Sequence, residues 1–389
     1  MSLHSDSFDQ VMVPNPEELE FLQYVRKVAA EKIAPKAEEY DQSGEFPEEN
    51  IDVLNGLGLN GAFIPAEYGG FELSFGCALR IVEALSCACP STAITWATTM
   101  HAVTSLCELG TEDQKARFLP RIAEGKLAAL AITESTGGSD VLAMRSRLVP
   151  EGEDFLLNGS KVFITNGDVA DLVVVFARWA GAERPRDQLT CVLVDPALSE
   201  VEVVRRESKL GHRASSTTEL RFNDCRITRA DILGQLGGGF PILLHTLNKS
   251  RPSIAAQAIG IAEAAMAETR AYVNNRRQFG RRLLEFQGVQ FVVADMASQL
   301  LAAKALLCHV ATLMDAGAKD LDVTASVLKV LATDAAMTVA TSAVQLQGGY
   351  GYMTGSGVER LFRDAKLTQI WEGANELHRA RIGKSFLEK

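Results

Sequence analysis

Aromatic residues make up only 7% of this 389-residue chain, and its seven cysteines follow no regular spacing. Cys77, Cys87, Cys89, Cys107, Cys191, Cys225 and Cys308 form no Cys-x-x-Cys pair and no Cys/His metal pattern. Zinc sites and a disulfide framework are therefore excluded, and reduced thiols in a reducing compartment are expected. Cys87-Ala-Cys89 is the tightest pair, read either as a redox pair or as part of a helix. Positive charge is also short: 39 basic against 49 acidic residues give a net charge of −10. That argues against nucleic-acid binding, which needs a basic face, but a local arginine cluster can still hold phosphates. No window reads as a membrane span, so no membrane insertion is expected. Met1–Gln10 is polar, with neither a signal-peptide apolar stretch nor an Arg-rich amphipathic one. The expected location is cytoplasmic, or the mitochondrial matrix if a transit peptide has been removed. No internal repeat is evident. The glycine clusters Gly234–Gly239 and Gly348–Gly351 do not follow a strand and open a helix as a dinucleotide fingerprint requires, and a P-loop is missing.

What is present changes texture twice. Hydrophobic residues reach 47%, enough for a large core, and the length exceeds what one core usually supports. From Pro16 to about Leu127 the pattern is helical, as in Glu17–Tyr40, Cys77–Leu85 and Glu112–Ala123, with Pro65–Gly70 as a turn-rich loop. From Ala129 to about Phe222 the period shortens. Leu172–Ala177, Leu189–Val194 and Val201–Val204 are β-branched runs bounded by Gly, Asp or Pro. With no room for helical crossovers, these strands predict an antiparallel barrel or sandwich. After Gly237–Gly239 the helical period returns. Val289, Val293, Met296, Leu300, Ala303, Leu307 and Val310 form one apolar seam. Ile254, Ala258, Ile261 and Ala265 form a second behind Pro252, which suits a first helical turn, and Leu321–Gln347 is a third long segment. The expected class is α+β: an N-terminal helical domain (1–128), a middle β-domain (129–238) and a C-terminal four-helix bundle (239–389).

Four segments carry candidate chemistry. Ala131-Ile-Thr-Glu-Ser-Thr-Gly-Gly-Ser-Asp140 ends a strand in hydroxyls and glycines, which makes either a ligand loop or an ordinary turn. Strand alternation in Leu157–Gly167 places Phe163 and Thr165 on one face, suited to a flat heterocycle or simply to core and surface. Glu372 stands between Trp371 and a glycine, just before a helix start at Asn375. A carboxylate desolvated there has its pKa raised toward the range of a general base, while most glutamates so placed are simply solvated. Asn275–Arg282 holds four arginines, as a solvated patch or a phosphate site.

In order and spacing the four together resemble the acyl-CoA dehydrogenase family over essentially the whole chain. The family pattern Thr-Glu-Pro-x-Ala-Gly-Ser-Asp is similar to Thr133–Asp140, and Trp-Ile-Thr-Asn-Gly to Phe163–Gly167. Arg-x-x-Phe-Gly corresponds to Arg276–Gly280 with Gln287 following, Gln-x-x-Gly-Gly-x-Gly to Gln345–Gly351, and Tyr-Glu-Gly-Thr to Trp371–Ala374. The resemblance implies FAD-dependent α,β-dehydrogenation of a short- to medium-chain acyl-CoA to the trans-2-enoyl-CoA. Glu372 would be the base and flavin N5 the hydride acceptor. It implies a homotetramer, or else a dimer, with electron-transfer flavoprotein as electron acceptor and no metal. Leu130, Ile132, Thr133, Gly138, Ser139, Phe163, Ile164 and Thr165 would meet FAD from the β-domain. Arg276, Gln278, Phe279, Gln287, Gln345, Leu346, Gly348 and Gly349 would reach it from a neighbouring subunit, with Ala374 and Glu376 beside the base. Ser139, Asn248, Arg251 and Gly373 would contact the substrate, with Asn248–Arg251 as a whole lining the CoA path.

This chain departs from the family pattern at Ser135 and Gly137, at Phe163 in place of Trp, at Asn248 in place of Asp, and at Ala374 in place of Thr. Two further readings stand beside the first. One is an oxidase or an acyl-carrier-protein-linked dehydrogenase on the same fold; the other is a non-catalytic flavin-binding scaffold.

Overall fold

The computed structural model describes residues 5–198 and 200–387. The stretch read above for targeting signals lies partly outside them. Seven helices come first: α1 (Ser5–Met12), α2 (Pro16–Val28), α3 (Ala37–Ser43), α4 (Glu48–Gly56), α5 (Phe75–Ala88), α6 (Pro90–Leu109) and α7 (Glu112–Ala123). Their starts are written locally. Asn15 accepts the Glu17 N–H ahead of Pro16, Ser74 accepts the Cys77 N–H, and Thr111 and Gln114 form a reciprocal capping box.

Eight strands follow: β1 (Leu127–Ala131), β2 (Arg147–Glu151), β3 (Asp154–Thr165), β4 (Ala170–Trp179), β5 (Leu189–Val194), β6 (Val201–Arg206), β7 (Thr217–Ile227) and β8 (Ile232–Leu233). They form one sheet in the order β6-β7-β3-β2-β4-β5-β8, with β1 also paired to β4. The sheet is mixed rather than wholly antiparallel, because β1 and β2 both run parallel to β4. The expectation of antiparallel strands assumed helical crossovers for any parallel pair. Here the irregular 132–146 loop and the β3 hairpin make those connections instead. β4 explains its own unbroken apolar run, since it is buried on both faces. Leu172, Val174 and Phe176 pack under α6 and α7, while Val173, Val175 and Ala177 face the core shared with β3 and β7.

The third part is α8 (Gly239–Asn275), a small hairpin of β9 (Arg277–Gln278) and β10 (Arg281–Arg282), α9 (Gln287–Asp315), α10 (Asp322–Gln347), α11 (Gly349–Tyr352), α12 (Val358–Thr368) and α13 (Asn375–Leu387). Pro252 does not open a helix as expected; it lies inside α8. Proline there leaves the carbonyl four residues earlier, that of Asn248, without its helical donor, and packing against α5, α6 and α10 carries the helix through. α9 and α10 also correct the membrane expectation. Both are long and apolar enough to cross a bilayer by length and composition, yet each lays its seam into the helical core, with Met296, Leu300 and Leu307 beside Leu328, Ala332 and Ala336. Apolar side chains on the outer face of α9, Phe291 and Leu301 among them, are left uncovered. The three-part plan of helices, sheet and helices is the one expected, and it stands the sheet's loops against the α8–α10–α13 face.

Candidate active site

A cleft of about 620 Å³ opens where the β1 end meets the bundle. Ile132, Thr133, Gly138 and Ser139 line it from the loop after β1. Leu247, Asn248 and Arg251 enter from α8, Asp322 and Ser326 from α10, and Glu372, Gly373 and His378 from the loop before α13 and its first turn.

The loop wall is built around a buried pair. Lys161 of β3 is fully buried, and its Nζ donates to the Ile132 carbonyl (2.9 Å) and to Glu134 Oε1 (2.8 Å). Glu134 also accepts the backbone N–H groups of Arg145 (2.5 Å) and Ser146 (2.9 Å), so one carboxylate folds both ends of the 132–146 loop. Burial pulls Lys161 down to about 8, while Glu134 opposes that fall; burial works against the Glu134 carboxylate, but Lys161 and its hydrogen bonds still hold it below its ordinary value. The Val162 N–H donates to the Thr133 carbonyl and ties β3 to the same loop.

The opposite wall carries the carboxylate. Glu372 Oε2 accepts from Ser250 Oγ at 2.6 Å. Burial raises the Glu372 pKa above the ordinary carboxylate range, opposed by the Ser250 hydrogen bond and by the Arg251 and Lys329 charges. Its backbone stands at φ 51°, in the left-handed region that favours glycine, followed by Gly373 at φ 92°. The Glu372 carbonyl accepts from His378 Nε2 (3.2 Å), and the Gly373 carbonyl accepts from Lys329 Nζ (2.8 Å). Among the described residues, the backbone N–H groups of Glu372, Gly373 and Ala374 donate to nothing in the protein. Arg251 is occupied on one side, its Nη1 donating to Asn248 Oδ1 (2.6 Å) and Asp322 Oδ1 (2.7 Å). Asn248 thus accepts from the very arginine that an aspartate there would have neutralised.

The other expected residues separate into groups. Phe163 is 65% exposed at φ 60°, Thr165 is half-buried, and Ile164 between them is buried in the sheet core. A register shift between Lys161 and Ile164 interrupts the expected strand alternation, and neither Phe163 nor Thr165 lines the cleft. Leu130 packs at the edge of the core beneath β4, Glu376 is exposed, and Ala374 is half-buried; none of the three lines the cleft. Arg276, Gln278, Gln345, Leu346, Gly348 and Gly349 come together elsewhere, in an open recess of about 460 Å³. Arg276 sits over the Tyr350 ring there (5.5 Å). Phe279 is 92% exposed at the hairpin turn, and Gln287 is the exposed first residue of α9. Within one chain, then, the two sets are brought to two places. Sequence reasoning missed Lys329, Asp322 and Ser326, gave His378 no role, and had Ser250 only within the Asn248–Arg251 stretch expected along the CoA path, not as a donor to Glu372. Lys329 had a readable signal, a lone cation among Ala325, Leu328, Ala332 and Ala336 on the apolar face of α10. Ser250 had none.

The site fits a flavin. The uncovered Phe163 ring suits a flat heterocycle, and in the recess a Cβ added at Gly348 or Gly349 meets nothing within 4 Å, leaving backbone open to a phosphate chain.

Comparison with known proteins agrees along the full length. Residues 15–126, 129–225 and 237–387 match the family models described as acyl-CoA dehydrogenase N-terminal, middle and C-terminal domains. A cyclohex-1-ene-1-carbonyl-CoA dehydrogenase of Geobacter metallireducens is 40% identical over 368 residues, 94% of this chain and 97% of that protein. A short-chain-specific acyl-CoA dehydrogenase of Clostridium acetobutylicum is 41% identical over 371 residues, 94% of this chain and 96% of its own length. The solved butyryl-CoA dehydrogenase of Megasphaera elsdenii superposes with a TM-score of 0.92 at 36% identity, over 96% of this chain and 98% of that one. With a matching fold and with family domains matched over residues 15–126, 129–225 and 237–387, this chain belongs to the acyl-CoA dehydrogenase family, flavoprotein oxidoreductases that act on a CH–CH bond.

Proposed function

We propose that the chain dehydrogenates a short- to medium-chain acyl-CoA to the trans-2-enoyl-CoA, with Glu372 removing the α-proton. The observation that carries this reading is the desolvated Glu372 carboxylate in the same cleft as the Ile132–Ser139 loop. A thioester α-hydrogen is a weak acid, so its removal needs a base of raised pKa and stabilisation of charge on the carbonyl oxygen. The unpartnered N–H groups of Glu372 and Gly373, both of which line the cleft, offer that stabilisation where the base stands. FAD, when bound, supplies the acceptor for the β-hydrogen. Ile132, Thr133, Ser139, Phe163 and Thr165 would hold the flavin ring. Arg276, Gln278, Gln345 and Gly349 of a neighbouring copy would hold the adenosine and pyrophosphate, which accounts for two site groups lying apart in one chain. The uncovered apolar side chains of α9 support a homotetramer, since an exposed face of that kind seeks a partner. The names of the Clostridium and Megasphaera relatives support the short chain length, and electron-transfer flavoprotein is the proposed electron acceptor.

Glu372→Gln tests the reading. The variant is expected to keep bound FAD yet lose its anaerobic bleaching by butyryl-CoA or octanoyl-CoA by a factor of about 10²–10⁴. Bleaching at the wild-type rate would remove Glu372 from the mechanism.

A further inference from the structure

Glu372 is the one non-glycine residue of the cleft in the left-handed backbone region, and a carboxylate residue gains nothing intrinsic by being there. Such a conformation persists only where the surroundings over-determine it. The surroundings here are two buried side chains from different helices, each bonded to a consecutive carbonyl. Lys329, fully buried on α10, donates from Nζ to the Gly373 carbonyl (2.8 Å) and to Asn375 Oδ1 (2.8 Å). Asn375 in turn donates from Nδ2 to Thr333 Oγ1 (2.8 Å) and Asp334 Oδ1 (3.0 Å), one turn along the same helix. His378, 3% exposed on α13, meets the Glu372 carbonyl through Nε2 and Ser326 Oγ through Nδ1 (3.1 Å). A carbonyl can only accept, so Nε2 carries the proton and Nδ1 accepts from the Ser326 hydroxyl. Burial, with Arg251 and Lys329 nearby, lowers His378 to about 4, which keeps that single-proton form at neutral pH.

We propose that Lys329 and His378 are positioning residues that pin the Glu372 and Gly373 carbonyls, and so aim the base, and the free Gly373 N–H beside it, toward the cleft that Glu372 and Gly373 line. In a trans peptide the N–H points opposite to the C=O. Anchoring the Glu372 carbonyl on His378 and the Gly373 carbonyl on Lys329 therefore turns the Gly373 and Ala374 N–H groups away from both anchors. Gly373 could not carry a side chain in this arrangement, because a Cβ would stand 2.9 Å from His378 Nε2. Lys329 adds a charge: burial pulls it down to about 8 against the pull of Glu372 and Asp334, so below about pH 8 its ammonium favours the ionised form of Glu372, and losing it lets the carboxyl pKa rise. This inference rests on Glu372 being the base.

The test compares Lys329→Met, His378→Leu and His378→Gln with wild-type and Glu372→Gln, all loaded with FAD. Lys329→Met is expected to slow limiting bleaching by about 10², the cost of misplacing a reacting group by about 1 Å. The acyl-CoA concentration for half-maximal rate should change little. Infrared difference titration against Glu372→Gln reads the Glu372 carboxyl without turnover, and Lys329→Met should move its titration to higher pH. His378→Leu should slow bleaching similarly, and His378→Gln, which keeps an N–H donor, should recover most of the loss. Wild-type bleaching in Lys329→Met with an unmoved carboxyl titration would overturn the proposal, as would equal loss in His378→Leu and His378→Gln. If Lys329→Met fails to fold, the His378 pair decides alone. Wild-type bleaching in Glu372→Gln is a separate result, which would sink the base assignment itself.

Discussion

Replacing Ser250 by alanine removes the single hydroxyl donor to Glu372, the proposed base. The Ser250 side chain is buried and Oγ lies 2.6 Å from Glu372 Oε2, with the Leu247 carbonyl at 3.1 Å as its other acceptor. One hydroxyl proton cannot serve both, and the shorter distance and greater charge favour the carboxylate. A hydrogen bond to a charged group contributes about 1.5–3 kcal/mol net, and one pKa unit corresponds to about 1.36 kcal/mol. Losing the donor while the carboxylate stays buried should therefore raise the Glu372 pKa by about one to two units above its already elevated value. The sign follows from the chemistry: the base works only when deprotonated, so a higher pKa cuts activity from the acid side. The assay is the first-order rate of anaerobic flavin bleaching by saturating butyryl-CoA as a function of pH. In Ser250→Ala the acid limb should move to higher pH by about that amount, with a similar plateau once the base is ionised. A limb that stays in place would refute the reasoning. A limb that moves to lower pH would mean that the hydroxyl accepts from a protonated Glu372 and stabilises its neutral form.

Two further outcomes concern the fold around the site. Lys161→Met leaves Glu134 buried without its cation, which should cost about 3–5 kcal/mol and lower the thermal unfolding midpoint; an unchanged midpoint would show that the Arg145 and Ser146 N–H groups suffice. His101, buried on α6, is pushed down to about 3 by burial from an ordinary 6.5. The unfolded chain therefore binds the extra proton first, so the histidine's contribution to stability is complete above about pH 6.5. It falls toward pH 3 by about 1.4 kcal/mol per unit. His101→Gln should flatten the fall of the unfolding midpoint between roughly pH 6 and 4, and an unaltered slope there would rule out this histidine as its source.

The order of helices, strands and helices is legible because each part writes its own period. The seam from Val289 to Val310 repeats at helical spacing, and the Leu172–Ala177 run needs two covered faces, which only a central strand provides. Strand direction was not legible. A run such as Leu127–Ala131 looks the same whether its neighbour runs parallel or antiparallel, and its pairing with β4 depends on a loop folded around Glu134 and Lys161, which lie 27 residues apart. Pro252 misled for a related reason. Its missing N–H marks a helix start in an isolated peptide, but inside α8 tertiary packing outweighs one lost hydrogen bond.

The same division runs through the site. Glu372 stood out only through the family motif around it, because Trp371 and a following glycine by themselves fit a solvated carboxylate as well as a desolvated one. Ser250, Lys329 and His378 did not. Their importance lies in which atom each reaches, and those atoms belong to a loop 122, 44 and 6 residues away. Local sequence determined the parts, through helix caps, hydrophobic periods and a carboxylate set before a glycine. Only the packed chain decided the aim of that carboxylate and how strongly it is desolvated, because both are set by groups that become neighbours when α8, α10 and α13 close around one loop.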